Sequence, residues 1–108
     1  MSQDVTSVWQ SKPTQQLAGV LTAISDKQTM QNFLRDVMTE KEIVEISSRL
    51  EAAKMLKIGK KYTDIVAKTK LSSRTVARIN DWLQNGCNGY EAAISSIHHD
   101  HMSPARTD

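Results

Sequence analysis

Eight lysines and arginines fall within one short stretch of this 108-residue chain: Lys54, Lys57, Lys60, Lys61, Lys68, Lys70, Arg74 and Arg78. Asp64 is the one acid among them, so the stretch carries +7 while the whole chain carries +2 and the remainder −5. Ammonium and guanidinium groups at this density neutralise phosphate and displace its counterions. A guanidinium can also pair in bidentate fashion with O6 and N7 of guanine. Short hydroxyls interleave with the cations at Thr63, Ser72, Ser73 and Thr75. Such groups cap helices, bind phosphate or hold bridging water. No carboxylate pair, nucleophile–base set or phosphate-cradling glycine loop accompanies them, so the chemistry is polyanion binding and not that of an enzyme.

These side chains need elements to aim them, and the chain reads as all-α. Residues 1–12 are polar and without period, an expected flexible arm. Residues 13–97 form one domain, and residues 98–108 read as a disordered tail containing Pro104. Pro13 suits the first turn of a helix, where its missing N–H costs nothing. Leu17, Val20, Leu21 and Ile24 continue that helix, and Ser25-Asp26 breaks it. Met30, Phe33, Leu34, Val37 and Met38 stripe a second helix at i, i+3, i+4, i+7 spacing. Thr39 and Glu42 make a capping box for a third, whose expected buried stripe is Ile43, Ile46, Leu50, Ala53 and Leu56. Gly59 stops it. Thr63 is the expected cap of a short fourth helix ending near Thr69. Ser72 caps a fifth running to about Gln84, and Tyr90, Ala93, Ile94 and Ile97 stripe a short sixth.

The fourth and fifth helices, joined at Lys70-Leu71, have the punctuation of a helix-turn-helix. In that unit the second helix enters the major groove N-terminus first. Ile65, Val66, Leu71, Val76 and Ile79 are the expected contacts between the two helices, and small Ala67 is expected to admit the second closely. Arg74, with Arg78 one turn on, faces bases, alongside Ser72, Ser73 and Thr75. Lys60, Lys61, Thr63, Lys68 and Lys70 sit where phosphates flank the groove.

The run SSRLEAAKMLKIGKKYTDIVAKTKLSSRTVARINDWLQNGCNGYEAAI resembles the Trp repressor superfamily, and within it the Trp-repressor-related branch called YerC/YecD. The likeness rests on the RLE-A-K-ML-G-K-Y-I spacing, a small-residue turn, T-V-x-R-I-N and L-x-x-G-x-x-GY. It spans roughly Leu17 to Ile97. It implies a six-helix Trp-repressor-like fold, an intertwined homodimer sharing one core, and protruding helix-turn-helix units. The function it implies is a transcriptional repressor that reads a pseudo-palindromic site in double-stranded DNA.

The resemblance also bears on a ligand. In the Trp repressor, tryptophan lies between two arginines and near a threonine, and Arg49, Arg78 and Thr39 fall on those positions here. The residue after the second arginine is glycine in the true repressor and Ile79 in this chain. A branched side chain where the indole would lie overpacks the slot, typically at ~1–3 kcal/mol. No tryptophan-type corepressor is therefore expected and no cofactor is called for, while the sequence leaves open whether another small-molecule effector exists.

Other residues invite less. His98, His99, Asp100 and His101 are adjacent and cannot close a tetrahedral metal site unaided, so no metal is expected. Cys87 is a lone thiol between Gly86 and Asn88, with no base placed beside it in sequence. No apolar run approaches the roughly 20 residues that span a bilayer. The polar first residues do not read as a signal peptide, and the expectation is a cytoplasmic protein. Two other readings stand beside the regulator. One is a non-specific or replication-linked DNA-binding module, and the other a protein-interaction adaptor that retains the fold.

Overall fold

The computed structural model describes the backbone of residues 7–105 and the side chains of residues 7–97. Among them a 3-10 turn, Ser7–Gln10, precedes six helices: α1 (Lys12–Ala23), α2 (Lys27–Val37), α3 (Glu40–Lys57), α4 (Tyr62–Thr69), α5 (Ser73–Asn85) and α6 (Gly89–Ala105). No strand occurs among the described residues, in keeping with the all-α reading. By internal contacts the chain divides into two units, Met1–Ile43 and Val44–Asp108.

In the first unit the helix starts are set by local caps. Ser11 accepts from the Thr14 N–H at 3.3 Å and Pro13 sits in the first turn of α1. Thr14 Oγ1 donates to the Val8 carbonyl at 2.7 Å, and Gln15 Nε2 donates to the Trp9 carbonyl at 2.8 Å. These two bonds tie residues 7–10, expected to be part of a flexible arm, onto α1. Residues 1–6 of that arm lie outside the described residues. Asp26 caps α2, accepting from Thr29 Oγ1 at 2.6 Å and Thr29 N at 2.7 Å. Those two bonds, the hydroxyl's first, hold its carboxyl below the usual range. The capping box of α3 forms in both directions: Glu42 N–H donates to Thr39 Oγ1 at 3.1 Å, and Thr39 N–H donates to Glu42 Oε1 at 2.9 Å. No residue of α1 or α2 is buried.

The second unit holds the core. Ala52, Ala53 and Met55 of α3, Ile65 of α4, Val76 and Ile79 of α5 and Ile94 of α6 are buried together. Leu50, Leu56, Val66, Leu71, Leu83 and Tyr90 pack around them. Two expectations are corrected. Ile46 is 54% exposed, and Met55 fills the core instead. Ala67 is exposed, so the small buried residues are Ala52 and Ala53. The backbone of α6 continues past Ile97 to Ala105. The side chains of the expected tail, His98 to His101 included, lie outside the described residues.

Candidate nucleic-acid interface

The geometry of the basic stretch begins with how α3 ends. Gly59 takes φ +85°, a conformation glycine enters without penalty. The Lys60 N–H then reaches back to the Met55 carbonyl at 3.0 Å and closes the helix end. The chain is at once extended at Lys61, which serves as the N-cap of α4 through its backbone, with no side-chain cap. The Ile65 N–H donates to the Lys61 carbonyl at 3.1 Å. Thr63, expected to be that cap, instead lies inside the first turn of α4. The α3 terminator delivers the chain to helical geometry before Thr63 is reached.

The turn between α4 and α5 is built from one buried hydroxyl and one strained backbone. Thr69 Oγ1 donates to the Ile65 carbonyl at 2.7 Å and accepts from the Leu71 N–H at 3.3 Å. Lys70 sits at φ 66°, ψ 11°, in the left-handed region, with its N–H on the Val66 carbonyl at 2.9 Å. Ser72 then caps α5 as expected, accepting from the Thr75 N–H at 3.1 Å, with the two hydroxyls 3.0 Å apart. Ile65, Val76 and Ile79 are fully buried, and Val66 and Leu71 partly so. The expected contacts therefore fix α4 against α5.

Lys60, Lys61, Thr63, Lys68, Lys70, Ser72, Ser73, Arg74 and Arg78 are all exposed, and Thr75 is half-buried beside its cap. The eight cations are not equivalent. Lys54 lies 3.3 Å from Glu51 Oε1, and Lys68 lies 3.7 Å from Glu51 Oε2. Lys57 donates to both oxygens of Glu91 at 2.7 and 2.9 Å. Among the described residues, Lys60, Lys61, Lys70, Arg74 and Arg78 have no carboxylate partner. These five run from the end of α3 through the turn into α5. Their charge is left for an outside anion, and a helix start beside them adds to the attraction. Sequence reasoning missed the roles of Glu51 and Glu91. The i, i+3 spacing of Glu51 and Lys54 was a readable signal, but the pairs that cross between helices have none.

The three residues expected at corepressor positions are Thr39, Arg49 and Arg78. Thr39 is engaged in its capping box. Arg49 donates to Glu45 Oε2 at 2.8 Å on its own helix, and its buried Nε has no hydrogen-bond partner. No hydrogen bond joins Arg49 to Arg78 among the described residues. Ile79 is fully buried in the core. Cys87 is an exposed free thiol, and no cluster able to hold a metal occurs among the described residues. No helix there is long and apolar enough to cross a membrane.

Comparison with known proteins agrees with the all-α fold. The sequence model of the family described as Trp repressor protein matches residues 12–98. A Bacillus subtilis (strain 168) protein, named only as uncharacterized protein YerC, is 31% identical over 86 residues, covering 80% of this chain and 83% of its own length. The solved structure of a TrpR-like protein from Eubacterium eligens ATCC 27750 is 32% identical with a TM-score of 0.77, over 82% of this chain and 92% of that one. A solved Staphylococcus aureus chain, 24% identical, supports the fold with a TM-score of 0.80 over 89% of this chain and 96% of its own.

Proposed function

Because this chain belongs to the Trp repressor family, a family of DNA-binding transcription regulators, we propose that it is a sequence-specific repressor that binds double-stranded DNA as a homodimer. In this reading α4 crosses the phosphate backbone and α5 enters the major groove from its N-terminus. The carrying observation is the set of five exposed cations without a carboxylate partner, Lys60, Lys61, Lys70, Arg74 and Arg78, gathered around one tightly fixed two-helix unit. Arg74, in the first turn of α5, reads a base edge. Lys60, Lys61, Lys68 and Lys70 hold phosphate, with Thr63, Ser73 and Thr75 supplying hydroxyls and Arg78 supporting from the next turn. Two such units in a homodimer read a pseudo-palindromic site. No indole corepressor enters this reading, which takes the branched Ile79, where the resemblance expects glycine, as overpacking the slot. In this reading the site of action is the cytoplasm.

Salt titration of binding to duplex DNA is the direct test. If Lys60, Lys61, Lys68 and Lys70 in each of two chains neutralise about eight phosphates per dimer, log K falls against log salt with a slope of about −7. A slope near zero would remove DNA as the partner. Specificity is tested separately: Arg74→Ala costs ~1–3 kcal/mol at one base pair and relaxes preference there. Lys60→Ala weakens all sequences alike. Equal, sequence-blind effects of both would point to the non-specific module instead.

A further inference from the structure

Glu51 lies on α3, outside the elements that meet DNA in the proposed function, yet its two carboxylate oxygens face two different lysines. Oε1 accepts from Lys54 Nζ at 3.3 Å, one turn along the same helix. Oε2 lies 3.7 Å from Lys68 Nζ on α4. The second distance is an ion pair without a hydrogen bond, so Lys68 is attracted and not locked. Its side chain is 62% exposed and free to swing toward solvent. The Glu51 side chain is 34% exposed, about half the exposure of its partner. The anion is therefore the more confined of the two groups and the cation the freer.

We propose that Glu51 is a built-in competitor for Lys68, an acid that phosphate must displace before that lysine contributes to DNA binding. This rests on the functional reading above. Phosphate attracts Lys68 with its charge and several acceptor oxygens, so the exchange runs forward on DNA, but part of the gain is spent on releasing Glu51. Lys60, Lys61 and Lys70, which have no carboxylate partner among the described residues, carry no such cost. Glu51 thus lowers affinity for any phosphate backbone. Non-specific binding, which depends almost wholly on phosphate contacts, is held down along with it. Glu51 acts through Lys68 and is a positioning residue, not a contact residue.

The test is a cycle of Glu51→Gln and Lys68→Gln in the full chain, read as affinity and salt slope on duplex DNA. Glu51→Gln keeps the shape of the side chain, Lys68→Gln removes the charge and shortens the side chain by one heavy atom, and unchanged thermal melting shows that the fold stands. Glu51→Gln is expected to tighten binding by about two- to tenfold, the range set by weak surface ion pairs in each of two chains. It also steepens the salt slope, by up to about one per chain, because salt no longer weakens a competing ion pair while it weakens the phosphate contact. In the Lys68→Gln background most of that gain is expected to vanish. A gain of equal size in that background would show a general field effect and overturn the proposal. So would unchanged or weaker binding by Glu51→Gln alone. If the wild-type chain itself binds no duplex, the functional reading fails first, an outcome distinct from a wild type that binds and a Glu51→Gln chain that binds no better.

Discussion

Lys70 holds a backbone conformation, φ 66° and ψ 11°, that costs a side-chain-bearing residue about 1 kcal/mol and glycine almost nothing. A lysine kept there at the expense of stability suits a turn whose ammonium group has work to do outside the fold. Lys70→Gly should therefore move two readouts in opposite directions. Thermal stability rises by about 1 kcal/mol, some 4–8 °C if a domain of this size unfolds alone, while affinity for duplex DNA falls and its salt slope flattens by about one per chain. Melting and binding measured on one preparation check both. Tyr90 offers a second residue-scale prediction. Its phenol titrates above the ordinary value, because burial disfavours the phenolate, and the Arg49 charge opposes that shift. A raised value means that the stability linked to Tyr90 is complete below the unfolded phenol's pKa, about 10. It is lost as pH climbs through the folded value. Arg49→Gln removes the opposing cation and should push the titration higher still. Phenolate absorbance in a Tyr62→Phe background, where Tyr90 is the one tyrosine left, reads this without overlap.

Helix boundaries in this chain are set by contacts three to five residues long, and that explains which of them could be read in advance. The Asp26 cap, the Thr39–Glu42 box and the Ser72 cap each lie within three residues of their partners. Side-chain type and spacing reveal all three. The start of α4 was misread because Thr63 has the right chemistry, while the outcome was decided upstream by Gly59 and the Lys60 N–H. The core face of α3 was misread at Ile46 because hydrophobic spacing does not say which side of a stripe meets the rest of its own chain. The basic stretch was legible as charge. Its division into paired and unpaired cations was not, since Lys57 and Glu91 are 34 residues apart. The end of α5 gives a sharp element-scale test. A Cβ added at Gly86 would lie 2.5 Å from the Trp82 carbonyl oxygen, a backbone atom that cannot swing aside, whereas one added at Gly89 meets nothing within 4 Å. Gly86→Ala should lower stability by roughly 1–3 kcal/mol, as strain at a helix end does. Gly89→Ala should leave it nearly unchanged, as chemical denaturation of the pair will show.

At the scale of the whole molecule the question is what the apolar side chains outside the core are for. Neither α1 nor α2 has a buried residue, and Leu17, Val20 and Val37 are exposed, as are Val44, Ile46 and Ile58 in the other unit. Scattered exposed aliphatics need no explanation. Two successive amphipathic helices without a buried residue do, because amphipathic helices in water owe most of their stability to packing. A second copy of the chain supplies that packing in the homodimer proposed above, and mass action then makes stability depend on concentration. For a dimer that unfolds directly to two chains, each tenfold dilution removes about 1.4 kcal/mol, or about 3–5 °C of melting temperature for two chains of this length. Melting curves over a hundredfold range of protein concentration should shift accordingly, with light scattering giving twice the chain mass at the upper end. Val37→Glu, which places a charge among these apolar groups, should lower the melting temperature and move the mass toward one chain. If wild-type melting is indifferent to dilution and its mass is that of a single chain, two recognition helices cannot lie one DNA turn apart on one particle. The pseudo-palindromic reading would then have to give way to a single half-site bound weakly.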